Sequence, residues 1–149
     1  MGDRISVQFC QRVKHFGSNV INMEKSVVLF NHWQGIAFAE QTLKWAIDFQ
    51  ERMKQQRLPN FSNPITRMDP QHMMIQYIMS LSTDSIHYKY GEGFFSTACY
   101  LGKDEKDGDN SDNGHFEIWL PCDHDLRVTD RDHNIFMVSI KEEEKESQE

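Results

Sequence analysis

"SVVLFNHWQGIAFAEQTLKWAIDFQERMKQQ" (residues 26–56) changes its hydrophobic period at Gly35, and that change decides the fold. Before the glycine, "SVVLFNHW" (26–33) is apolar on both faces, as a central strand requires. After it, the apolar positions recur at helical spacing. Ile36, Ala39, Leu43, Ala46, Ile47 and Met53 form one stripe, and Phe38, Trp45 and Phe49 form a second. Two stripes imply either a helix wedged between layers or one that carries a partner surface. Pro59 and Pro64 end the helix and mark the linker "RLPNFSNPITRM" (57–68).

Towards the N-terminus, "RISVQF" (4–9) alternates Ile5, Val7 and Phe9 against Ser6 and Gln8. That is the period-2 pattern of a half-buried strand. The intervening "CQRVKHFGSNVINMEK" (10–25) is too long for a tight turn and contains Gly17-Ser18-Asn19, so it reads as an extended hairpin or protruding loop. Towards the C-terminus, Asp69-Pro70 supplies an N-cap and a first-turn proline for a second helix. Its Met73, Met74, Tyr77, Ile78 and Leu81 share a face, a methionine-rich pattern typical of adaptable core. Strands follow at 85–90, 94–102, 115–121 and 135–141. The order β-β-α-α-β-β-β-β segregates strands from helices. It predicts an α+β fold, a mostly antiparallel sheet of about six strands with two helices on one face.

The bulk composition fits one globular domain over residues 1–140, followed by an acidic, disordered tail at 141–149, "KEEEKESQE". The net charge of −7 argues against duplex nucleic acid as a partner, because phosphate contacts need clustered Lys and Arg. Cys10, Cys99 and Cys122 are scattered and form no CxxC pair, which points to a reducing cytoplasm. No apolar run approaches the ~20 residues that a membrane helix needs.

Chemistry concentrates in two polar segments. "DGDNSDNG" (107–114) resembles a calcium loop if Asp109 takes position 1, with Ser111, Asn113 and Gly114 at 3, 5 and 6. Position 12 is then Leu120 rather than a bidentate Glu, and the flanks read as strands, so an EF-hand is excluded. A looser divalent-cation site on Asp107, Asp109 and Asp112 remains an expectation, beside the plain reading of an exposed turn. Asn110, Asn113 and His115 are the expected ligand-binding residues, since amides suit base-edge or ribose hydrogen bonds. "CDHDLRVTDRDHN" (122–134) carries the second set. Cys122 with His124 or His133 has the elements of a nucleophile and base, and the histidines with an aspartate those of a zinc or manganese site. Arg127 and Arg131 are the expected clamp for an anionic group. In "NHWQG" (31–35), Trp33 reads as a core residue or as a ring for stacking, and the helix start as a receiver of anions.

The blocks "MGDRISVQF", "SVVLFNHWQG" and "LGKDEKDGDNSDNGHFEI" resemble a family of small prokaryotic and archaeal proteins marked by a GDRIS strand and a DGDNSDNGHF segment. The likeness covers both ends of the domain and thins between Gln55 and Ser82, and "CQRVKHFGSNVINM" (10–23) departs from the compact hairpin expected there. The resemblance implies a single intact domain and brings no established activity with it. Analogy with small phage-borne proteins that sequester nucleotide signals suggests a binding role. The leading expectation is therefore a non-enzymatic, homo-oligomeric protein that binds a small polar or anionic molecule such as a nucleotide. A metal-assisted hydrolase using His115, His124 and His133, and an interaction module using Phe38, Trp45 and Phe49, are the alternatives.

Overall fold

The structure, a computed structural model, describes residues 2–14, 20–55, 69–82, 99–121 and 135–140. Its hub is β1 (Ile5–Lys14), the longest strand. On one side β1 pairs in parallel with β5 (His115–Trp119). On the other it pairs antiparallel with both β2 (Ile21–Lys25) and β3 (Val28–Asn31), which follow one another along the same edge. β4 (Cys99–Gly102) extends the sheet beyond β3, and β6 (Phe136–Ser139) extends it beyond β5, both antiparallel. Among the described residues the result is a six-stranded, mostly antiparallel sheet with one parallel pairing.

The segment read as an extended hairpin is one: β1 runs past Phe9 and returns as β2. A bulge separates β2 from β3. Between the pairs Cys10↔Lys25 and Val7↔Leu29, Gln8 and Phe9 face three residues, Ser26, Val27 and Val28. Ser26 fills the irregularity. Its N–H donates to the Phe9 carbonyl (2.9 Å), while its hydroxyl accepts from the Phe9 N–H (3.1 Å) and its carbonyl from Gln8 Nε2 (2.7 Å). A bulge of this kind bends the strand and re-aims its side chains. The strand expected at 85–90 and the tail expected at 141–149 lie outside the described residues.

α1 (Ile36–Gln55) and α2 (Pro70–Ser82) pack on a single face of the sheet. Ile5, Val7 and Phe9 of β1, with Leu29, Phe116 and Ile118, join Phe38, Phe49, Met73, Met74 and Tyr77 in one core. Each large side chain buried this way contributes roughly 1.5–3 kcal/mol before entropy is counted. Phe9 meets Trp45 and Tyr77, the latter edge-on at 6.1 Å. Phe38 and Phe49 are buried and Trp45 packs against the core, so this stripe is core and not the partner surface weighed from sequence. Ile36 and Ile47, expected in the core stripe, are exposed instead. The true inward line runs through Phe38, Thr42, Ala46, Phe49 and Met53, and it admits a polar residue because the Thr42 hydroxyl donates to the Phe38 carbonyl at 2.7 Å. Among the described residues, no helix is long and apolar enough to cross a membrane.

Candidate functional site

Ser6 and Gln8, read from sequence as the solvent side of a half-buried strand, are buried. The face opposite the helices carries Phe30, Ser6 and His115 in one row and Gln8 and Glu117 in the next. All five are buried: the connection from β4 to β5 (residues 103–114) folds back over Phe30 and Ser6, and Lys25 reaches Glu117. Gly108 allows the closest approach: a Cβ there would strike the stacked rings of Phe30 and Tyr100, which lie 4.9 Å apart.

The N-terminal lead clasps this loop. Arg4 pairs with Asp109, and its backbone N–H and Nε reach Asp112 at 2.9 and 3.4 Å. Asn113 donates from Nδ2 to Asp3 Oδ1 (2.7 Å) and to the Arg4 carbonyl (3.0 Å). Asp3 has a second task. Gly35 enters α1 with φ of +59°, and a methyl group at its Cα would overlap the Asp3 carboxylate. The helix start that the sequence offered to an anionic ligand therefore has the protein's own carboxylate beside it.

The interior beneath the loop is a directed chain of hydrogen bonds. Asn110 Nδ2 reaches Ser6 Oγ at 2.9 Å, Ser6 Oγ lies 2.7 Å from His115 Nδ1, and His115 Nε2 lies 3.1 Å from Gln8 Oε1. Gln8 Nε2 donates to the Ser26 carbonyl, which only accepts, so Oε1 faces the imidazole. His115 must then carry its proton on Nε2, and Ser6 must donate to Nδ1. Burial pulls the His115 pKa down and keeps the ring neutral, with Glu105 and Glu117 working the other way.

Beside this chain, Lys25 Nζ sits 3.2 Å from Glu117 Oε2. Burial opposes the charge on Lys25, but the Glu117 carboxylate outweighs it and the net shift is upward. Burial and the same carboxylate push the Cys10 thiol well above its ordinary range. Cys99 is pushed up to about 12, chiefly by burial. Neither thiol is a nucleophile at neutral pH.

The residues expected to contact a ligand fare unevenly. Asn110, Asn113 and His115 come together at the loop, but their polar atoms hold the fold. His115 accepts at Nδ1 and donates at Nε2, so it offers no lone pair to the metal of the hydrolase reading. Asp107 Oδ2 receives the N–H groups of Lys103 and Asp104 at 2.7 and 2.9 Å, which closes a turn. Asp109 takes hydrogen bonds from the Ser111 side chain, the Ser111 N–H and Arg4, and together, in that order, these hold its pKa down to about 2. Asp112 serves Arg4. The three carboxylates do not converge, and no group of metal-ligating side chains occurs among the described residues. Arg127 and Arg131, with Cys122, His124 and His133, lie outside the described residues.

Trp33 is not a core residue: it is 48% exposed. Asn31 Oδ1 accepts from the N–H groups of Trp33 (2.9 Å) and Gln34 (3.0 Å), a cap that fixes the strand-to-helix corner. The His32 ring meets the indole edge-on at 4.4 Å, and Gly2 packs against both His32 and Arg4. Trp33 thus stands at the corner from which Asp3 and Arg4 clasp the loop.

The fold and this arrangement define an α+β protein with two layers on its sheet, helices on one face and a clasped polar loop on the other. Comparisons with protein-family models, curated proteins and solved structures found no match.

Proposed function

We propose that the protein is a non-enzymatic binding protein for a small polar ligand with a planar ring, such as a nucleotide, taken up at the Trp33 corner. The observation that supports this reading is the exposed indole of Trp33 on a rigid mount. An aromatic face held by a capped corner loses little entropy when a base stacks on it, and such stacking is worth roughly 1–3 kcal/mol per base. Beside the corner, across Gly2, lies the Arg4 guanidinium, 29% exposed and paired with Asp109 and Asp112, whose side chains are 47 and 40% exposed. Arg127 and Arg131 remain the expected partners for an anionic group. Calorimetry against a panel of nucleosides and nucleotides, with the native protein and Trp33→Leu, tests the reading. Binding that falls at least tenfold in Trp33→Leu supports it. No binding by the native protein at high concentration, with or without divalent ions, sinks it.

A second reading, self-association, is favoured by the β2 arm. Val20, Ile21 and Met23 are each at least half exposed there, at 63, 50 and 54%. Light scattering after size exclusion tests it, and a strict monomer at high concentration rules it out.

A further inference from the structure

We propose that the loop of residues 103–114 is a proton-gated cover, released from the sheet when His115 takes a second proton at Nδ1. The inference stands on the polarity of the buried chain, and it holds whatever ligand the protein binds.

In the neutral state every group has a complementary partner. Ser6 Oγ–H donates to His115 Nδ1, and Ser6 Oγ accepts from Asn110 Nδ2. The same Asn110 nitrogen also donates to the Glu105 carbonyl at 3.2 Å, and the Asn110 carbonyl accepts from Gly114 N–H at 2.7 Å. Asn110 therefore ties the loop to the sheet and to itself.

Protonation at Nδ1 turns an acceptor into a donor. Nε2 cannot rearrange to help, because its N–H already points at Gln8 Oε1, and Gln8 is fixed by the Ser26 carbonyl. Ser6 must then accept from His115, and its own hydrogen loses its acceptor. Turned towards Asn110, that hydrogen meets an NH₂ group, donor against donor. If the Asn110 amide flips to receive it, Oδ1 faces the Glu105 carbonyl, acceptor against acceptor. Either outcome breaks one of the two bonds by which Asn110 fastens the loop, and an unpaired buried polar group is costly. Moving the loop away lets water satisfy both.

The charged groups facing His115 decide where this happens. Glu117 on β5 and Glu105 and Asp104 on the loop favour the imidazolium, Lys25 on β2 opposes it, and burial opposes it most. The gate therefore works below the ordinary imidazole value of about 6.5. The Arg4–Asp109 pair does not titrate there, since hydrogen bonds hold the Asp109 pKa down to about 2.

Amide hydrogen exchange followed by NMR, corrected for the intrinsic pH dependence, tests the gate in the full-length protein. Two groups of amides are compared: Asn113 and Gly114 in the loop, and Leu120, whose N–H donates to the Cys10 carbonyl. Loop protection should fall by up to about tenfold per pH unit below about pH 6.5 and level off once the His115 ring nitrogens report protonation, while Leu120 remains far better protected. Loop protection that ignores His115 protonation, or that is lost only together with Leu120, overturns the proposal. Ser6→Ala removes the relay atom, so in that variant loop exchange should no longer follow the ring. Continued coupling without the hydroxyl counts equally against the gate, and the native titration decides alone if the variant does not fold.

Discussion

Ser6 Oγ lies 2.7 Å from His115 Nδ1, with both residues fully buried between the sheet and the loop that follows β4. The contact joins the first strand to one more than a hundred residues later, so it reports the parallel β1–β5 pairing directly. His115→Ala leaves a cavity and deprives Ser6 and Gln8 of partners. It should cost roughly 3–5 kcal/mol in urea unfolding, and a cost below about 1 kcal/mol would show that the chain is not closed as described.

The same histidine sets a pH dependence. Its folded pKa is lowered, so above about pH 6.5 the ring is neutral in folded and unfolded chains alike and its full contribution is present. Below that value the unfolded chain takes up a proton that the folded one resists. Stability should then fall by up to about 1.4 kcal/mol per pH unit until His115 itself protonates. Denaturant titrations between about pH 5 and 8 check this, and His115→Ala should flatten the slope.

Gly35 is constrained twice, by a positive φ and by the carboxylate of Asp3. Gly35→Ala incurs the left-handed penalty of about 1–2 kcal/mol and displaces Asp3 as well. The expected loss of stability exceeds 2 kcal/mol, roughly the sum of both effects. Because Asp3 also holds Asn113, loop exchange should rise in the same variant.

Thr42 and Tyr77 join the two helices through a buried 2.8 Å hydrogen bond. Since Thr42 donates to the Phe38 carbonyl, Tyr77 is the donor in this pair. Tyr77→Phe removes donor and bond together and should cost about 1 kcal/mol, whereas Thr42→Val strands a buried phenol hydrogen and should cost about 1–3 kcal/mol. Thermal unfolding of the two variants should therefore rank Thr42→Val below Tyr77→Phe.

Much of this fold was legible in the sequence. Gly35 and Asp69-Pro70 mark the starts of α1 and α2, and the alternation of Ile5, Val7 and Phe9 marks the core face of β1. The exposed Ile36 and Ile47 show where periodicity misleads, because apolar character does not say which of two stripes meets a neighbour. The buried polar face was hidden for a different reason. Ser6, Gln8 and Glu117 alternate with apolar residues as solvent-facing positions do, and they are covered by tertiary contacts that spacing does not show: the loop over Ser6, His115 and the Ser26 carbonyl at Gln8, and Lys25 at Glu117. Arg4 and Asp3 gave no signal, since a clasp is made by tertiary contact rather than by spacing. Conversely, Asn110, Asn113 and His115 stood out for their chemistry, and the fold uses that chemistry on itself.

The ring nitrogens of His115 provide the most direct measurement. Long-range ¹H–¹⁵N NMR at neutral pH should show a neutral imidazole with its proton on Nε2 and a bare, hydrogen-bonded Nδ1. A charged ring, a proton on Nδ1, or averaging between tautomers would contradict the directed chain from Asn110 to Ser26 on which the account rests.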